Sequence, residues 1–267
     1  MSTIDTLFQK LRAEKRKALM PFVTAGDPDL DFTAAVLREL AGRGCHLCEV
    51  GIPYSDPIAD GPVIQASYTR ALDKLVKLDQ IFAMLKEITP QVASPLVTMV
   101  SYAIIHRRGP DRYLADAQAA GVAGAIVPDL PAEEAKALAE KCKARDFSLI
   151  QLVAPTTPRE RALRIAEQST GFLYYVSVTG ITGERTQLPP DLLENVSWLR
   201  SQTALPICIG FGISQAEHVK LLAPVADGLI VGSAIVRRIA EVASRDRKGV
   251  LQDVGRFAGE LLTALQS

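Results

Sequence analysis

His46-Leu-Cys-Glu49-Val-Gly-Ile-Pro53-Tyr-Ser-Asp56-Pro57-Ile-Ala-Asp60-Gly-Pro62 is an apolar run ending in a carboxylate, followed by a loop with three prolines and two more carboxylates. A chain that only turns a corner needs no acids there, and Asp and Glu are rarely buried without a partner or a task. The stretch reads as a strand, His46–Val50, that carries Glu49 to its end and opens into an active-site loop bearing Asp60.

Outward from this strand, similar runs recur at Leu19–Thr24, Leu96–Ser101, Gly124–Val127, Ser148–Val153, Phe172–Ser177, Pro206–Gly210 and Gly228–Val231, which makes eight with His46–Val50. They are continuously apolar rather than alternating, as parallel strands covered on both faces are. Helical spacing fills the intervals at Leu30–Ala41, Arg112–Ala120, Ala132–Arg145, Pro158–Gln168, Asp191–Ser201 and Ser214–Leu222, the last with Ser214 as its N-cap. Met1–Ala18 reads as an amphipathic helix with Ile4, Leu7, Phe8 and Leu11 on one face, and Val63–Thr89 and Ser233–Ser267 have room for extra helices. Eight strands each followed by a helix predict an α/β fold, a single-domain (β/α)8 TIM barrel over residues 1–267. An open doubly wound sheet is the alternative, weakened because no G-x-G-x-x-G follows the first strand.

The totals fit this reading. Hydrophobic residues make 48% of the 267, and 30 Lys+Arg balance 30 Asp+Glu. That balance argues against a nucleic-acid or membrane-surface protein. Neither a membrane-length apolar run nor an apolar signal core is present, so a soluble cytoplasmic protein is expected. Cys45-His-Leu-Cys48 has redox or zinc spacing, but no second Cys/His pair accompanies it, which favours small residues entering a buried strand. His46, His106 and His218 are scattered without metal spacing, and no G-x-S-x-G marks a serine nucleophile.

In a barrel, chemistry sits at the C-terminal ends of the strands. Strand two ends at Glu49. Gly183 follows strand six, Gly212 follows strand seven, and Gly232-Ser233 follows strand eight. Glycines there read either as tight turns or as places where main-chain N–H groups approach an anion. Their recurrence after three successive strands favours a phosphate, with Ser233 adding a hydroxyl at a helix start. Glu49 and Asp60 read as proton-transfer groups or as salt-bridge partners, and Asp60 alternatively as the cap of a helix beginning near Pro62. A carboxylate facing an apolar pocket has a raised pKa, which suits proton transfer. Asp27 and Asp56 each precede a proline and look like turn residues; Asp129 either lines the site or braces a loop.

Taken together, Pro21-Phe-Val-Thr-Ala-Gly-Asp-Pro28, Glu49 through Ser67, Val127-Pro-Asp-Leu-Pro131, Tyr174 through Gly183, Gly210-Phe-Gly-Ile-Ser214 and Gly232-Ser-Ala234 resemble, in order and over nearly the whole chain, the tryptophan synthase alpha chain family. The resemblance implies a (β/α)8 barrel that cleaves indole-3-glycerol phosphate to indole and glyceraldehyde 3-phosphate without metal or organic cofactor. It also implies an alpha2beta2 heterotetramer with a beta chain that receives the indole for tryptophan biosynthesis. Glu49 matches the general acid/base that protonates indole C3, and Asp60 the carboxylate that meets the indole N–H. Phe22 matches a wall of the indole pocket and Tyr174 the site tyrosine. Gly183, Gly212, Gly232 and Ser233 match the phosphate positions, with Phe211 beside them and Thr182 in the loop of residues 180–190. That loop and the one bearing Asp60 are expected to close over substrate.

One segment departs from the pattern. The family usually has Tyr-x-Asn after strand three, with the asparagine near the beta-chain contact; here Ile104 stands in its place. The departure bears on that interface and keeps a stand-alone lyase in view. Other phosphate-binding barrels lack the Glu49–Asp60 run, and a non-catalytic activating subunit would not need an acid at the strand end.

Overall fold

The computed structural model of the chain describes residues 2–57, 60–176, 190–210 and 212–266. Its strands are β1 (Ala18–Thr24), β2 (Cys48–Gly51), β3 (Leu96–Met99), β4 (Val122–Ile126), β5 (Ser148–Ile150), β6 (Leu152–Val153), β7 (Leu173–Val176), β8 (Ile207–Gly210) and β9 (Gly228–Val231). All pairings are parallel, in the order β5-β4-β3-β2-β1-β9-β8-β7-β6. The two ends of that order are β5 and β6, halves of one continuous segment interrupted at Gln151. The sheet therefore closes on itself as eight staves, as the sequence predicts: the chain is a (β/α)8 barrel.

The helices are α1 (Thr3–Ala13), α2 (Leu30–Gly42), α3 (Pro62–Asp73), α4 (Leu78–Ile88), α5 (Tyr102–Arg108), α6 (Pro110–Ala119), α7 (Lys136–Lys143), α8 (Arg159–Gln168), α9 (Pro190–Gln202), α10 (Ala216–Leu222), α11 (Ser233–Ala240) and α12 (Arg247–Gln266). The extra helices expected at the N-terminus and after the second and last staves are α1, α3 with α4, and α11 with α12. One helix was not foreseen, and one expected cap needs correction. The chain after β3 folds as α5, a short helix that the periodicity did not reveal. Ser214 does not cap α10, whose N-cap is Gln215, without a side-chain bond.

Period-two alternation sorts each stave. On β2, Cys48 and Val50 join the layer under the helices, while Leu47, just before the strand, belongs to the cluster filling the bore. Met20, Phe22, Val97, Met99, Ile126, Ile150 and Tyr174 share that inner cluster. At the strand starts α1 completes it. A capping box holds the helix start, with Ser2 Oγ accepting from Asp5 N at 3.2 Å and Asp5 Oδ2 accepting from Ser2 N at 2.9 Å. Ile4, Phe8 and Leu11 enter the bore, and the Phe8 and Phe172 rings sit 5.8 Å apart. That end of the barrel is plugged. Among the described residues no helix is long and apolar enough to cross a membrane.

Candidate active site

The other end is open. A cavity of about 550 Å³ occupies the C-terminal mouth, lined by Phe22, Glu49, Asp60, Met99, Tyr174, Gly212, Gly232, Ser233 and Arg237 among others. A smaller cavity of about 110 Å³ adjoins it, sharing Asp60, Met99 and Pro128.

Glu49 sits within β2 rather than at its end, because β2 runs on to Gly51; its register partners are Phe22 on β1 and Val97 on β3. Inward alternation aims the side chain into the bore. It is 0% exposed, and neither carboxyl oxygen has a hydrogen-bond partner among the described residues. Burial alone pushes its pKa well above the usual carboxylate range. Burial without a partner favours its neutral form, the carboxylic acid that has a proton to give.

Asp60 lies in the loop before α3. The cap of that helix is Gly61, with Pro62 in the first turn, so Asp60 is not the N-cap. Its backbone is tied down: its N–H donates to Pro57 O at 3.1 Å, and its C=O accepts from Gln65 Nε2 at 2.8 Å. Its carboxylate takes no hydrogen bond among the described residues, and burial raises its pKa to about 6. The hydroxyls of Tyr68 and Tyr174 are pushed up first by burial and then by the charges of both Glu49 and Asp60. Both acids therefore act on the same two rings, which places them around one space.

Glycines give the Phe22 and Tyr174 rings room against the staves. A Cβ at Gly51 would come within 2.4 Å of Phe22 Cζ, and a Cβ at Gly210 within 2.4 Å of the Tyr174 hydroxyl. The turn glycines differ. Gly212 has φ +76°, a left-handed backbone that disfavours a side chain. At Gly232 a Cβ would meet nothing nearer than Phe22 Cβ at 3.7 Å among the described residues, so their packing does not require that glycine. Its bare backbone instead leaves the approach to Ser233 and the start of α11 open. Thr182, Gly183, Phe211 and the rest of the loop of residues 180–189 lie outside the described residues.

The remaining acids divide. Asp27 is more than a turn residue: it is buried and accepts a bidentate pair from Arg70 of α3, Nε to Oδ1 at 2.9 Å and NH2 to Oδ2 at 2.7 Å. With the Thr24–Ser67 hydroxyl contact at 2.6 Å, it fastens to β1 the helix that follows Asp60. Asp129 braces α5, accepting from Ser101 Oγ at 2.6 Å and Tyr102 N at 2.8 Å, and also lines the smaller cavity. Ile104 is half-buried on α5, packed against the outer core. Cys45 and Cys48 are buried free thiols, and desolvation pushes Cys45 up to about 12, the opposite of a reactive thiolate. His46 accepts from Leu19 N at 3.0 Å, and burial, with Arg16 beside it, lowers it to about 4, so it is a neutral structural residue.

Sequence reading missed Tyr68, Met99 and Arg237. Tyr68 had a signal: Ile64, Ser67, Tyr68 and Ala71 form the buried face of α3 at helical spacing.

A parallel barrel with a buried acid lining its C-terminal mouth, together with glycine-bearing turns after its last two strands, defines a barrel enzyme whose site is that mouth. A model of the tryptophan synthase alpha chain family matches residues 8–265. The tryptophan synthase alpha chain of Rhodopirellula baltica is 56% identical over 100% of both chains, and that of Rippkaea orientalis is 46% identical over 100% of this chain and 99% of its own. A solved tryptophan synthase alpha subunit from Legionella pneumophila superposes with a TM-score of 0.90 at 34% identity, covering 100% of this chain and 99% of that one. A chain of Mycobacterium tuberculosis tryptophan synthase does so with a TM-score of 0.90 at 31% identity and the same coverage. The chain belongs to the tryptophan synthase alpha chain family, and so to amino-acid biosynthesis.

Proposed function

We propose that this chain cleaves indole-3-glycerol phosphate by a retro-aldol step and passes the indole to a beta chain, in an alpha2beta2 assembly. One observation carries the chemistry: Glu49 is a fully buried carboxyl without a partner among the described residues, lining the cavity. Indole is a poor carbanion leaving group until C3 is protonated. Glu49 delivers that proton, and the C3 to side-chain bond then breaks with its electron pair returning to the ring. The neighbouring hydroxyl loses its proton and becomes the aldehyde, and that proton restores Glu49. Asp60, as a carboxylate, accepts the indole N–H and stabilises the positive ring of the protonated intermediate. Phe22 and Tyr174 wall the indole end. Gly212, Gly232 and Ser233, with Gly183 and Phe211, hold the phosphate, whose remote binding energy orients the bond to be broken. Family membership supports this reading, as does a cavity whose wall holds both acids and the glycine-bearing turns, and all 267 residues serve it as one domain.

The test is indole release from indole-3-glycerol phosphate, with and without a tryptophan synthase beta chain. Slow release alone and faster release with the partner are expected. No cleavage in either condition sinks the proposal; cleavage indifferent to the partner removes the partner half.

A further inference from the structure

Two consecutive arginines on α11 have opposite surroundings. Arg238 is bound into the protein: NH1 donates to Ala234 O at 2.9 Å, Nε lies 3.8 Å from Asp253 Oδ2, and the guanidinium carbon is 3.5 Å from the centre of the Phe257 ring. Arg237 is exposed and has no hydrogen bond or ion pair among the described residues. It nevertheless lines the large cavity, and among the described residues it is the one cation there, in a wall that also contains Glu49 and Asp60.

Its place on the helix follows from the spacing. Ser233 opens α11 and Arg237 comes four residues later, so the two share a face. Helical side chains lean toward the N-terminus, which carries the Arg237 arm back toward the Gly232–Ser233 turn. A phosphate monoester bears about −1.5 to −2 charge at neutral pH, whereas a helix start supplies only about half a positive charge. Main-chain donors therefore leave most of the ligand's charge uncompensated, in a cavity that already holds two acids. A guanidinium matches two phosphate oxygens at once.

We propose that Arg237 is the side-chain half of the phosphate subsite: it closes over the substrate's phosphate from the cavity rim and holds that end away from Glu49 and Asp60. This rests on the reading of the mouth as an indole-3-glycerol phosphate site. The experiment compares the parent chain with Arg237→Gln, Arg237→Lys and the distant control Arg107→Gln. It uses steady-state cleavage together with inhibition by glycerol 3-phosphate and by the phosphate-free analogue indolepropanol. For Arg237→Gln the expected KM rises about tenfold while kcat stays within about twofold. Its glycerol 3-phosphate inhibition constant should rise by the same factor, and indolepropanol inhibition should not move. Arg237→Lys should recover much of the loss, and Arg107→Gln should match the parent. An unchanged KM in Arg237→Gln beside an active parent overturns this assignment alone. So does an equal weakening of indolepropanol, which marks general damage. A parent that neither cleaves the substrate nor is inhibited by glycerol 3-phosphate overturns the site reading and this assignment with it.

Discussion

At the N-terminal mouth of the barrel, α1 drives Ile4, Phe8 and Leu11 into the bore, and the polar groups at its start answer one another: Ser2 with Asp5, and Ser148 Oγ with Ser2 Oγ at 3.0 Å. At the C-terminal mouth the same bore ends in Glu49, whose carboxyl oxygens have no partner among the described residues, and Asp60, whose carboxylate is likewise unbonded. Both ends bury polar groups, but among the described residues the groups at the plugged end answer one another while the two acids do not. Burying a polar group without a partner costs stability. The plugged end is built for stability, and the open end holds Glu49 and Asp60 without side-chain partners at a cost in stability, which raises both pKa values as proton chemistry requires.

Substitutions at the two ends should break along this line. The largest effect is expected for Glu49→Gln, which keeps the shape and removes the proton. Its kcat should fall about 10⁴-fold, ~5 kcal/mol of barrier, in single-turnover cleavage, while substrate binding by titration persists and the melting temperature does not fall. Near-normal turnover would reject Glu49 as the donor. Phe8→Ala at the plugged end should do the reverse. Chemical denaturation should show a loss of about 3–5 kcal/mol of stability, with kcat of the folded fraction unchanged. A large kcat defect in that variant would show that the two ends are not separable.

Asp60→Asn comes next. Loss of the carboxylate that meets the indole N–H should lower kcat/KM about a hundredfold at pH 7.5. With its pKa near 6, Asp60 loses its charge as the pH falls, so activity of the parent should decline below about pH 6, and that limb should vanish in the variant. The smallest effect is on stability. Because the folded value of about 6 lies above the ordinary 3.8, the group's contribution to stability is complete below the unfolded value and is lost as the pH rises through 6. Asn escapes that loss. Allowing for its partial exposure, Asp60→Asn should be more stable than the parent by about 1 kcal/mol at pH 8, and equal to it near pH 3.5. A variant less stable than the parent at pH 8 would contradict the picture of an unpartnered carboxylate.

The two ends also differ in how far they could be read from sequence. Staves and plug were legible because they obey periodicity: continuous apolar runs for buried parallel strands, and Ile4, Phe8 and Leu11 at helical spacing. Glu49 was legible as an anomaly within such a run, although its place inside β2 depends on where pairing stops, at Gly51. What distant partners decide was not legible. Asp27 looks like a turn residue until Arg70, 43 positions away, is seen holding it. The α5 helix spans only Tyr102–Arg108, and Ile105 is its one buried residue, too little to register as a periodic stripe. Arg237 is one of two adjacent arginines, and only packing shows that Arg238 is occupied while Arg237 has no partner among the described residues. The break at Gln151 that splits one stave into β5 and β6 likewise has no signature in composition.

The claim beneath all of this is that Glu49 is a neutral acid at working pH, and its ionisation state can be read directly. Protein labelled with ¹³C at glutamate side-chain carboxyls, with Glu49→Gln subtracted to isolate the one signal, can be titrated by difference infrared spectroscopy. The structure predicts a protonated carbonyl band for Glu49 at pH 7.5, giving way to carboxylate only well above the ordinary range. A carboxylate band already complete at neutral pH would contradict it.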